Sequence, residues 1–189
     1  MSIQLSKHKQ FEAEAQRFRV SLQWTPNADV SLPLFDLDLS AFLVGGNAQV
    51  PTQEHFVFYN NQESPDGAVR LAGDDRVGGC SDADGEVLEI DTTLLELSIQ
   101  QIYLAVSLHE AATRGQFFGN VPNALVRIHD VASNQELCRY ALDEDFSPDC
   151  AVEIGRFYIG GEVWRFEPLG NPVRGGLQSL VNRYAKRFA

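Results

Sequence analysis

The chain has 189 residues, 44% hydrophobic, 10% aromatic and 22% charged, a composition that excludes wholesale disorder and supplies the apolar surface of a sizeable core. Its 26 acidic residues outnumber 15 lysines and arginines, for a formal charge of −11; this argues against a nucleic-acid binder, whose affinity rests on basic side chains, and favours a cation or a basic partner. No apolar run reaches the roughly 18 residues of a membrane span and MSIQLSKHKQ lacks a secretion signal's apolar stretch, so a cytoplasmic protein is expected.

A two-residue period dominates. Segment 9–17 reads as a short helix or an irregular lead-in. Phe18, Val20, Leu22 and Trp24 then alternate with Arg19, Ser21 and Gln23, the pattern of a half-buried strand. Phe35, Leu37 and Leu39 alternate with Asp36, Asp38 and Ser40 before Ala41-Phe42-Leu43-Val44 continues as a more fully buried stretch. His55-Phe56-Val57-Phe58-Tyr59 is β-branched and aromatic and stops at Asn60-Asn61. Further strands are expected over 67–72, 86–91, 102–108, 123–130, 135–142, 150–158 and 162–167, with a helical turn near 93–101. Most are bounded by turn residues, such as Gly160-Gly161 and Gly170-Asn171-Pro172. After Gly175-Gly176, Leu177, Leu180, Val181, Tyr184 and Phe188 form one apolar stripe at helical spacing. Arg183, Lys186 and Arg187 suit the negative end of that helix. The expected architecture is an all-β antiparallel sandwich with a C-terminal helix and one or two short helical turns, a single domain over residues 1–189.

Little in the sequence points to catalysis. Cys80, Cys138 and Cys150 are odd in number and widely spaced, without a C-x-x-C pair, which fits a reducing compartment. Neither they nor His8, His55, His109 and His129 show zinc-ligand spacing. Ser107-Leu108-His109-Glu110 lacks a nucleophile-elbow context, no H-E-x-x-H occurs, and Gly78-Gly79-Cys80-Ser81 has no Walker A lysine. A protein that is not an enzyme is expected.

The acidic charge is concentrated. Asp74, Asp75, Asp82, Asp84, Glu86, Glu89 and Asp91 fall within one short segment against the single Arg76, and Gly73, Gly78, Gly79 and Gly85 let its backbone turn sharply. Crowded carboxylates without a cation repel one another and take up protons. Calcium takes about six to eight oxygen ligands, from carboxylates and loop carbonyls, and such a loop supplies both. The spacing is not that of an EF-hand: with Asp82 at the first position, Val87 stands where the turn glycine belongs and Thr93 where the bidentate Glu belongs. A solvated loop and a cation site both account for this composition. Asp36-Leu37-Asp38 is the second feature. On a strand these carboxylates project from one face, about 6.6–6.8 Å apart along the chain. They interrupt an apolar run, where two like charges need neutralising unless the face is open to water. Asp66, in Ser64-Pro65-Asp66-Gly67, reads as turn chemistry.

Phe35-Asp36-Leu37-Asp38-Leu39-Ser40-Ala41-Phe42 resembles the FDLDAS-type segment of the TerD family of tellurium-resistance and stress-response proteins. Phe56-Val57-Phe58-Tyr59-Asn60-Asn61, Ser64-Pro65-Asp66-Gly67-Ala68-Val69 and Gly73-Asp74-Asp75-Arg76 resemble the family's F-x-F-x-N-N, S-P-D-G-x-V and G-D-N-R motifs. Gln116-Phe117-Phe118-Gly119, with Val121, Asn123 and Ala124, resembles its Q-N-F-G-x-V-x-N-S/A stretch. Asp143-Glu144-Asp145, Glu153-Ile154-Gly155-Arg156-Phe157-Tyr158, Trp164-Arg165-Phe166 and Gly175-Gly176-Leu177 then follow its closing part in order, so the resemblance spans roughly residues 20–180.

The resemblance implies a compact β-sandwich that binds one or two Ca²⁺ through clustered acidic side chains. It implies a role with protein partners in cytoplasmic stress-response assemblies, without enzymatic activity. By position, Asp36 and Asp38 fall on the family's paired aspartates, Asp74 and Asp75 on its Gly-Asp-Asn step, and Asp82, Asp84 and Glu86 on the acidic end of its loop. Asn60 and Asp66, inside the matched run, complete the implied ligand set. The sequence departs from the pattern in three places. Val77-Gly78-Gly79-Cys80-Ser81 is one residue longer than the family's T-G-E-G and lacks its Glu, Gly85 replaces a second consecutive Asp, and Thr25 follows Trp24 where Asp is frequent. A calcium-independent scaffold with a degenerate metal loop is therefore the alternative expectation. The three thiols offer no redox pair for reducing tellurite.

Overall fold

The structure, a computed structural model, describes residues 11–12, 16–29, 31–72, 85–161 and 163–185. Among them the strands form two antiparallel sheets, as the alternation predicts. One sheet has the order β1 (Phe11–Glu12), β11 (Val163–Pro172), β10 (Ala151–Gly160), β7 (Ile99–Leu108), β3 (Leu37–Gly45), β4 (Phe56–Val57). The other has the order β5 (Val69–Leu71), β6 (Glu86–Asp91), β2 (Arg17–Gln23), β8 (Leu125–Asp130), β9 (Gln135–Ala141). Three short helices accompany them: α1 (Ala111–Arg114), α2 (Leu142–Asp145) and α3 (Gly176–Tyr184).

The main core lies between the sheets. Phe18, Val20 and Leu22 of β2 meet Leu37, Leu39, Ala41 and Leu43 of β3 and Ile102, Leu104 and Val106 of β7, all essentially buried. Burying several such side chains stabilises the fold by about 1.5–3 kcal/mol each. In β10 the apolar parity changes, because Val152 and Ile154 are core residues and so is Phe157. A bulge between Glu153 and Gly155, in register with both neighbours, supplies the extra residue that makes the change.

The first sheet is buried on its outer face as well. Phe42, Val44, Val50, Phe56, Val173, Leu180 and Tyr184 form a second apolar cluster under α3. Within it Phe58 stacks on Phe56 at 4.3 Å and Phe56 on Phe42 at 4.4 Å, and Tyr184 lies 5.1 Å from Phe42 and 4.7 Å from Tyr103. This second layer explains why Ala41-Phe42-Leu43-Val44 is apolar without interruption. Gly175 and Gly176 enter α3 with φ of 88° and 67°, a backbone that favours glycine.

Several expectations are corrected. Segment 93–101 is not helical: β7 begins at Ile99, and residues 92–98 are turns held by Asp91, whose carboxylate accepts the Thr93 N–H and hydroxyl. Leu94 and Leu97 are exposed, so their spacing marks no buried face. Within 9–17, expected as a short helix or an irregular lead-in, Phe11–Glu12 pairs with β11 and β2 starts at Arg17, while residues 9, 10 and 13–15 lie outside the described residues. β11 continues through Gly170-Asn171-Pro172 opposite β10 instead of turning there. Phe188 lies outside the described residues.

Candidate functional site

β3 and β7 run antiparallel with Leu37 opposite Leu108 and Asp38 opposite Ser107. The start of β3 therefore meets the end of β7, and His109 N–H donates to the Asp36 carbonyl at 2.8 Å. Glu110, at φ 50°, turns the chain into α1, which brings Arg114 back over the same place. Gln116 Nε2 donates to the carbonyls of Pro33 (3.1 Å) and Leu34 (3.2 Å), fixing the segment that leads into β3. Tyr59, beyond β4, stands edge-on to His109 at 5.6 Å.

These elements enclose a pocket of about 460 Å³ lined by both Asp36 and Asp38, with Tyr59, His109 and Arg114 among its walls. The structure thus brings the paired aspartates to one cavity, as their i, i+2 spacing predicts. Asp38 is buried, 4% exposed, and Asp36 half-buried. Among the described residues, His109 Nδ1 lies 3.7 Å from Asp38 Oδ2 and Arg114 Nη1 lies 3.9 Å from Asp36 Oδ2. The same Arg114 Nη1 donates to the Leu34 carbonyl (3.4 Å), and Nη2 donates to Glu110 (3.2 Å).

Glu86 belongs to the opposite sheet and is 1% exposed. Its Oε2 accepts the Leu39 N–H at 2.5 Å, one residue from Asp38. β4 pairs with β3 at Ala41 and Phe42, so among the described residues this part of β3 has no strand on that side and a carboxylate serves instead. Glu86 is not among the residues lining the pocket.

Asp66 and Asn60 also stand outside that lining. Asp66 accepts hydrogen bonds from Ser64 Oγ (2.6 Å), Ala68 N–H (3.0 Å) and Glu96 N–H (3.0 Å). Burial would raise its pKa, yet these hydrogen bonds together hold it below the usual carboxylate value. Asn60 is exposed in the turn after Tyr59. Asp74, Asp75, Asp82 and Asp84 lie outside the described residues. Among the described residues, no three His, Cys, Asp or Glu side chains gather as a metal-holding group.

His109 and Arg114 line this pocket although neither belongs to the ligand set expected from the sequence. The spacing of Glu110 and Arg114, one helical turn apart, was the available signal. The thiols stand elsewhere. Cys138 is a core residue whose pKa is pushed up to about 12 by burial and by Glu136, and burial also raises that of Cys150.

Fold and site together define a two-sheet β-sandwich with paired aspartates facing one pocket at a strand end. The chain matches the TerD domain over residues 1–184 and belongs to the TerD family. It is 38% identical to YceE of Bacillus subtilis, over 97% of this chain and 98% of the relative. Tellurium resistance protein TerD of Serratia marcescens is also 38% identical, over 79% of this chain and 78% of its own. General stress protein 16U of Bacillus subtilis is 34% identical over 87% and 85%. A solved homologue of telluride resistance protein (TerD) from Streptomyces coelicolor shares the fold, with a TM-score of 0.77 at 20% identity over 93% of this chain and 99% of that one. No helix among the described residues is long and apolar enough to cross a membrane.

Proposed function

We propose that this TerD-family protein is a non-enzymatic, cytoplasmic stress-response module that binds Ca²⁺ at the pocket of Asp36 and Asp38. The observation that carries the reading is the convergence of these two carboxylates on one cavity at the start of β3. The two carboxylates are hard oxygen donors, which suit Ca²⁺ and not a thiolate-seeking metal. When bound, Ca²⁺ supplies the positive charge that keeps both aspartates ionised side by side. The protein's own part is rigidity: β7 and Glu86 hold the two sides of β3, and Gln116 ties down the residues before it. Stress-protein and tellurium-resistance relatives support the cellular role, in which the ordered pocket edge meets protein partners.

A calorimetric Ca²⁺ titration of chelator-stripped protein tests this, with Mg²⁺ as control. The expected result is saturable binding of one or two Ca²⁺, a raised Tm by mass action, and loss of both in Asp36→Asn and Asp38→Asn. Absence of binding at millimolar Ca²⁺ would sink it. The second reading, a calcium-independent scaffold, is favoured by the approach of Arg114 and His109 to the two aspartates. It expects the Asp→Asn variants to change no ion binding.

A further inference from the structure

We infer that Arg114 is a resident counter-ion of Asp36 in the Asp36–Asp38 pocket and weakens the binding of an external cation there. This rests on the reading of the two aspartates as cation ligands. One guanidinium nitrogen, Nη1, lies 3.9 Å from the Asp36 carboxylate and donates to the Leu34 carbonyl at 3.4 Å. Those are the two kinds of oxygen a hard cation uses, so the guanidinium stands in for an ion on the pocket wall. It is held there by backbone geometry. Glu110 and Gly115, at φ 50° and 61°, bracket the single turn of α1 and fix the approach of Arg114 to the strand end. The side chain is only 22% exposed, so water screens its charge little.

Guanidinium remains charged at every physiological pH, and an entering divalent ion therefore meets like charge. Glu110 gives Arg114 a second seat: Nη2 already donates to its exposed carboxylate, toward which the guanidinium can retreat. Affinity at this pocket is then a competition between an internal monovalent cation and an external divalent one. The arrangement offsets the charge of Asp36 when Ca²⁺ is scarce and restricts loading to high Ca²⁺.

The test is Ca²⁺ titration calorimetry of the chelator-stripped full chain and three variants. Arg114→Gln is expected to bind about tenfold more tightly or better than the wild type. Arg114→Lys keeps the charge and should stay within a few-fold of the wild type. Arg70→Gln removes an exposed arginine paired with Glu63 and should change nothing. Equal affinity in Arg114→Gln and wild type overturns the inference while leaving the calcium reading intact. An equal gain in Arg70→Gln, which would reflect net charge, or in Arg114→Lys, which would reflect lost packing, also overturns it. Binding by Arg114→Gln where the wild type binds nothing supports the inference and retires the calcium reading for the native protein. Binding by neither removes both.

Discussion

Glu86 on one sheet accepts the backbone N–H of Leu39 on the other at 2.5 Å, a side chain completing a strand that its neighbour β4 leaves uncovered. The bond crosses the sandwich beside the aspartate pocket. Removing the carboxylate leaves a buried N–H without an acceptor, so Glu86→Ala should cost about 2–4 kcal/mol. Glu86→Gln, which retains an acceptor oxygen, should cost less. Urea unfolding in chelator measures both; a loss below about 0.5 kcal/mol in Glu86→Ala would discard this account.

A Cβ at Gly155 would lie 2.4 Å from Phe166 Cζ and 2.8 Å from the Glu167 carbonyl. Gly155→Ala should therefore destabilise by about 1–3 kcal/mol or more through overpacking. In a Phe166→Ala background the same change should cost less, since the ring is gone. A double-mutant cycle by thermal melts reads the coupling, and strict additivity would contradict it.

Asp66 has its carboxyl pKa lowered, so its stabilising effect is present above the unfolded value and fades as the pH drops below about 4. Asp66→Ala should lose about 1–2 kcal/mol at neutral pH, near the low end because solvent screens the turn, and should show a flatter acid limb. Its Ca²⁺ affinity should match the wild type. Weakened binding in Asp66→Ala would instead make Asp66 a ligand.

Cys138 is a buried thiol with its pKa pushed up to about 12, which leaves almost no thiolate at neutral pH. Iodoacetamide at about pH 8, read by peptide mass mapping, should modify the half-buried Cys150 before Cys138, which reacts only after unfolding. Prompt labelling of Cys138 in the native protein would show that the core opens there.

The alternation of β2 was legible: Phe18, Val20 and Leu22 enter the core while Arg17 and Arg19 are exposed, though Ser21 on that second face is buried. The apolar stripe of α3 was legible too, with Leu180 and Tyr184 buried. The helical turn expected near 93–101 does not form, and Leu94 and Leu97 there are exposed. Pro168 and Pro172 hid the length of β11. Among the described residues, β1 pairs with Arg165 and Phe166 and not with the stretch that holds the later prolines, where an edge position tolerates the missing N–H. At the site, the aspartate pair was visible as neighbours in sequence. Arg114 and His109 reach it only through the β3–β7 pairing, a relationship no local pattern encodes.

The sheet orders have a consequence for how the chain comes together. Phe11 stands opposite Phe166, and Val20 stands opposite Ile128. Neither pairing can form while the later strand is still being synthesised, and each closes a long loop first. Contact order of this kind puts folding in the millisecond-to-second range, with the early strands held as unpaired apolar edges in the meantime. Those edges then stay open to other strands until the last third of the chain has been made.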